Sequence, residues 1–126
     1  MGASIMIFRS LAVYRLAYTT AMEIFNLTKE FPKEEKYSLT DQIRRSSRSV
    51  CSNIAEGWYK RKYVAMFICK LTDSISEAAE TQSWLQFSFG CNYLSEAHYL
   101  RLLEQYEHII AQLLTMQKKS ETFCKG

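Results

Sequence analysis

The sequence predicts an all-α protein, an antiparallel up-and-down four-helix bundle, and three observations carry that prediction. One proline and four glycines among 126 residues leave little to interrupt long helices. Apolar side chains recur at spacings of three and four over four separate stretches, the period of one helix face. Breakers and cap residues, Pro32, Ser38, Gly57, Gly90 and Ser95, fall between those stretches. At this length roughly two-thirds of the unfolded surface can be buried, enough for one core over residues 1–126.

The first helix is predicted over about residues 10–31, with Leu11, Tyr14, Tyr18, Met22 and Phe25 as its inner stripe and Ala17 and Ala21 beside it. Pro32 cannot continue it, because proline lacks the amide donor and pushes the preceding residue away from helical angles. After the polar linker 33–36, Ser38 is placed to cap a second helix over 38–57, with Asp41 in its positive first turn. Leu39, Ile43, Val50 and Ile54 mark its inner face, and Gly57 sits where a left-handed C-terminal cap is wanted. A third helix over 63–89 shows Val64, Phe67, Ile68, Leu71, Ile75, Ala78, Leu85 and Phe89, with Gly90 as its stop. The fourth, over 95–119, begins at Ser95, turns Tyr99, Leu103, Tyr106, Ile110 and Leu113 inward, and ends on Lys118 and Lys119. The tail from Ser120 to Gly126 reads as frayed. Short connections make neighbouring helices antiparallel.

Little in the chain has the spacing of a reactive centre. His98 and His108 lie roughly 80° apart around one helix and nearly three turns apart along it, so they share no metal. Glu77 and Glu80 have the spacing of a di-iron bundle without its Glu-x-x-His partners, and Glu104 and Glu107 read as solvated charge. There is no Gly-x-Ser-x-Gly elbow and no glycine-rich phosphate loop. The expectation is a non-enzyme with no catalytic residue, cofactor or metal. Cysteines at 51, 69, 91 and 124 form no Cys-x-x-Cys pair and read as reduced small hydrophobes. The start through Phe8 lacks a basic flank and is too short for a bilayer, and Met6 stands where a myristoylation signal needs Ser or Thr. The expected location is the cytoplasm, without membrane association.

Charge is where the sequence is most informative. Between Arg44 and Lys62, six basic residues (Arg44, Arg45, Arg48, Lys60, Arg61 and Lys62) face one acid, Glu56, for a local charge of +5. The chain as a whole carries +3, which leaves −2 for the remainder. At about 100° per residue the three arginines fall opposite the inner face of the second helix. Ser46 and Asn53 fall at its margins, where Asn53 needs a hydrogen-bond partner. Past Gly57, Trp58, Tyr59 and Tyr63 interleave with Lys60, Arg61 and Lys62. That pattern suits unpaired bases, with rings stacking and cations neutralising phosphate. It equally suits Trp58 and Tyr63 packed against the bundle ends beside a solvated basic loop.

The strings Phe31 to Thr40, Gln42 to Ser46 and above all Ser52-Asn53-Ile54-Ala55-Glu56-Gly57, with Glu80-Thr81-Gln82 and Tyr93-Leu94-Ser95, carry a family resemblance. They are similar to a bacterial four-helix-bundle family encoded in intervening sequences of the 23S ribosomal RNA gene. That family is related to the accessory variability determinant proteins of diversity-generating retroelements. The resemblance runs from about Leu11 to Lys118. Arg44 and Arg45 match the family's paired basic positions, and Asn53, Glu56 and Gly57 match its helix-end string. Cys51 departs from it, standing where the family often carries proline. The resemblance implies a homopentameric ring, with RNA or DNA and a reverse transcriptase as partners. The combined expectation is an oligomeric nucleic-acid-binding or ribonucleoprotein-associated adaptor. In it Arg44, Arg45, Arg48, Lys60, Arg61 and Lys62 contact phosphates, and Trp58 or Tyr59 stacks. The alternative is a protein-interaction or structural oligomer that ignores nucleic acid.

Overall fold

The computed structural model describes residues 7–125. The first six residues, on which most of the leader and myristoylation readings rest, and Gly126 lie outside them. Regular structure among the described residues is helical throughout: α1 (Ala12–Thr28), α2 (Leu39–Tyr59), α3 (Val64–Gly90), α4 (Glu96–Lys118) and α5 (Ser120–Cys124). Short 3-10 turns at Phe8–Ser10 and Lys33–Glu35 precede α1 and α2. Four antiparallel helices pack in sequence order, α2 against α3 most extensively and α1 against α4 most sparsely.

Helix ends depart from the expected chemistry in four places. α1 stops at Thr28, three residues short of Phe31, because the chain tightens into 3-10 bonds from Lys29, Glu30 and Phe31 before Pro32. Ser38 does not cap α2. Its hydroxyl donates to Glu35 Oε1 (2.7 Å), and that same carboxylate oxygen accepts the Leu39 amide (3.3 Å). Gly57 does not end α2, which continues to Tyr59. It is buried for close packing instead, since a Cβ there would meet Lys70 Cβ at 3.2 Å. At the end of α3 the left-handed residue is Asn92 (φ 63°), not Gly90. The Tyr93 amide donates to the Ser88 carbonyl and the Asn92 amide to that of Phe89, both at 2.9 Å, a Schellman closure. Ser95 does cap α4, accepting the His98 amide at 3.1 Å. The tail is not frayed, for α5 buries Ser120 and lays Phe123 against Trp58 and Phe67.

Glu35 also accepts the Tyr93 hydroxyl at 2.9 Å, tying the α1–α2 connection to the start of α4. Bonds from Ser38, then Tyr93, hold its carboxyl below the usual carboxylate range, and the same contact pushes Tyr93 up to about 12. A carboxyl depressed in the folded state contributes stability above its unfolded pKa and loses it as pH falls through the folded value. Thermal melts of the wild type should therefore drop more steeply below about pH 4.3 than those of Glu35→Gln. Parallel curves would remove Glu35 from the acid response.

The core face of α1 is rotated from the predicted stripe. Val13, Ala17, Thr20, Ala21, Ile24 and Thr28 are buried, and Thr20 satisfies its hydroxyl on the Leu16 carbonyl at 2.7 Å. Tyr18 and Met22 are 51% and 41% exposed, with Tyr14 and Phe25 half-buried beside α2. Small residues let α1 approach its neighbours, while phenol hydroxyls are better served at the surface. On α3 the core line is Phe67, Leu71, Ser74, Ala78, Thr81, Leu85 and Ser88, and Val64 turns outward. On α4 it is Leu102, Tyr106, Ile109, Leu113 and Met116, with Tyr99, Leu103 and Ile110 at the border. The inner face of α2, Leu39, Ile43, Val50 and Ile54, is as predicted.

Between α2 and α3 runs a seam of small residues. The Ser74 hydroxyl donates to the Val50 carbonyl at 2.8 Å and the Thr81 hydroxyl to Ser46 Oγ at 2.8 Å, all fully or nearly fully buried. These bonds satisfy groups that would otherwise be costly in the core, while keeping the two backbones close. Asn53 finds its partner on its own helix, donating to the Ser49 carbonyl at 2.9 Å.

Candidate nucleic-acid interface

The basic residues of the 44–62 segment separate into internal and external groups. Arg44 lies across the last turn of α1. Its Nε donates to Thr28 Oγ1 (2.8 Å), a terminal nitrogen donates to the Phe25 carbonyl (3.3 Å), and the guanidinium lies 4.7 Å from the centre of the Phe25 ring. A cation at a helix C-terminus meets the negative end of the dipole and unsatisfied carbonyls, which accounts for its placement. Arg61 is likewise engaged, donating from Nε to the Trp58 carbonyl (2.7 Å) and stacking 3.7 Å over the indole.

Trp58 is 5% exposed, covered by Arg61 on one side and meeting Phe123 edge-on. The stacking role expected of it is revised, because its ring belongs to the core at the end of the bundle. Tyr63, expected against the bundle end, is 55% exposed. Arg45, Arg48 and Lys62 are exposed, Lys60 is half-buried, and Tyr59 is 75% exposed. Arg48 also leans over Phe25 at 5.7 Å. From Arg45 and Arg48 to the Lys60–Lys62 loop is roughly 20 Å along α2, so the cations form two clusters rather than one.

Other cations that sequence reasoning did not select sit nearby on the first segment. Arg9 and Arg15 flank the Tyr14–Tyr18 pair, whose rings lie 6.4 Å apart and within 18° of parallel. Phe8 meets Tyr14 at 5.0 Å and Tyr59 at 6.2 Å, which joins this aromatic cluster to the C-terminal end of α2. Its signal in the sequence is the Tyr14-Tyr18-Met22-Phe25 repeat, whose spacing equally predicts a core stripe.

Elsewhere the carboxylates are spread or paired. Glu56 holds Lys70 at 3.0 Å, Glu23 pairs with Arg101, and Glu107 accepts the Gln82 amide at 2.7 Å. Burial, with Glu80 and Asp73 nearby, pushes Glu77 above the usual carboxylate range. Among the described residues no group of three or more His, Cys, Asp or Glu could hold a metal ion. His108 meets Glu104 at 3.6 Å on the surface. All four cysteines are free, and burial pushes the Cys51 thiol up to about 11, away from thiolate chemistry. No described helix is long and apolar enough to cross a membrane.

The family of 23S rRNA-intervening sequence proteins matches residues 9–115, from the first 3-10 turn into the last turns of α4. A crystal structure of a protein of unknown function from the S23 ribosomal protein family of Bacteroides thetaiotaomicron is 30% identical. The match covers 85% of this chain and 99% of that one, with a TM-score of 0.76. No curated protein matches the chain.

Proposed function

We propose, from the premise that this chain belongs to the 23S rRNA-intervening sequence protein family, that it is a non-enzymatic, homo-oligomeric nucleic-acid-binding adaptor. The observation that carries this reading is the set of exposed Arg45, Arg48 and Lys62 and half-buried Lys60, with Tyr59 beside them, on and just beyond the outer face of one helix. Such groups meet a phosphate backbone without desolvating the core, and their effect multiplies when several copies assemble. The link to a ribosomal RNA gene, the expected cytoplasmic location and the family resemblance to retroelement accessory proteins favour RNA. A reverse transcriptase is a further candidate partner on the same resemblance.

Gel-shift titration of a labelled oligonucleotide at 50 and 200 mM salt tests it. Four phosphate contacts predict about a hundredfold loss of affinity between those conditions. Replacing Arg45, Arg48, Lys60 and Lys62 together by alanine should abolish both the affinity and its salt dependence. A wild-type affinity indifferent to salt would sink the reading. A second reading, a protein-interaction oligomer, draws on a different observation. Tyr37 (85% exposed) and Phe87 (58%) open with Trp84 onto a hollow at the opposite end of the rod. It gains ground only if the oligonucleotide experiment fails.

A further inference from the structure

Two hollows open on the outer side of α1, one on either side of the Tyr14–Tyr18 pair. The first, about 400 Å³, is lined by Arg9, Tyr14, Arg15, Tyr18 and Thr19. The second, about 360 Å³, follows the α1–α2 groove over Tyr14, Tyr18, Met22 and Phe25, with Arg48 and Ser52 on its α2 side. Both have the size of small-molecule sites. Among the described residues no carboxylate lines either one, whereas three arginines do. The ligand they fit is therefore anionic and carries flat apolar groups.

The wall between the hollows is built to hold its shape. Tyr18 is 51% exposed, yet it lies nearly parallel to Tyr14, which Phe8 braces edge-on. Burial, with Cys51 and Tyr18 close by, pushes the Tyr14 phenol up, which keeps that ring neutral and suited to stacking. A double helix buries the faces of its bases, and only an unpaired strand can offer them to a protruding ring.

We propose that the Tyr14–Tyr18 pair is a stacking blade for two unpaired bases of a single-stranded nucleic acid, one in each hollow, with Arg9, Arg15 and Arg48 on the flanking phosphates. This rests on the nucleic-acid reading and adds to it a strand class and a site on α1. Duplex binding through the α2 and loop cations does not require the blade.

Fluorescence anisotropy with four labelled probes tests it: a uridine decamer, its deoxy counterpart, an abasic decamer and a hairpin duplex. Tyr18→Ala should weaken decamer binding about tenfold and leave the hairpin unchanged, while Tyr18→Phe retains wild-type affinity. The wild type should hold the abasic strand no better than Tyr18→Ala holds the uridine decamer. Tighter binding of the ribose or the deoxyribose strand supports the proposal with RNA or DNA as the respective source. An abasic strand bound as tightly as the uridine strand, or a silent Tyr18→Ala, overturns the blade while the phosphate reading stands. A wild type that binds no probe overturns both. Light scattering on Tyr18→Ala closes the remaining route: a well-folded variant of lower mass than the wild type would make this face a contact between copies and overturn the proposal.

Discussion

Trp58→Ala is expected to lower the stability of the bundle by about 3–5 kcal/mol, and to leave nucleic-acid binding by the folded fraction little changed. The indole is 5% exposed at the end where α2, α3 and α5 meet. Removing it leaves a cavity under Arg61 and takes away the ring against which Phe123 seats. Urea unfolding measures the first effect through the transition midpoint. Binding at a temperature well below the melt measures the second. An unchanged midpoint with lost binding would mean that the ring serves a ligand and not the core.

Ser74→Leu should cost about 2–4 kcal/mol, combining overpacking with the loss of a buried hydrogen bond. Ser74 is fully buried where α3 faces α2, and its hydroxyl reaches the Val50 carbonyl across the seam. A leucine side chain there has to push the two helices apart along the most extensive pairing in the molecule. Thermal unfolding followed by circular dichroism checks the size of the effect, with Ser74→Ala as the control that removes only the bond. If leucine raised the melting temperature, the seam would be underpacked, contrary to the placement of Ser46, Gly57 and Thr81 beside it.

The helices themselves were legible because their periodicity and boundaries agree over many residues. Leu39, Ile43, Val50 and Ile54 point inward as predicted, and Ser95 caps its helix. Faces were harder to read wherever the core is made of small or hydroxylated residues. Thr20, Thr28, Ser74, Thr81 and Ser88 are buried in positions that a hydrophobicity pattern treats as surface. Tyr14 and Tyr18 look like core by the same pattern, yet their rings reach the outside. Two glycines suggested helix stops, but Gly57 is used for close approach and Asn92 supplies the left-handed turn. A sequence does not distinguish these uses, since each depends on what another helix brings alongside.

The candidate site was legible in outline only. Charge counting located the cations but could not show that Arg44 closes the end of α1 or that Arg61 covers an indole. Both engagements are tertiary, formed with residues whose position depends on the finished bundle. The exposed remainder, joined by Arg9 and Arg15 from the first segment, is the set on which the binding experiments bear.

The small-residue seam has a mechanical consequence. With backbones in close approach and hydroxyls bonded across the gap, α2 and α3 act as one stiff beam. α1 and α4 meet only sparsely along the hollow lined by Ala12, His108, Ala111 and Thr115. A load applied at Arg45 and Arg48 on the outside of α2 would therefore be carried by the beam as a whole, with the compliance of the rod concentrated on its far side.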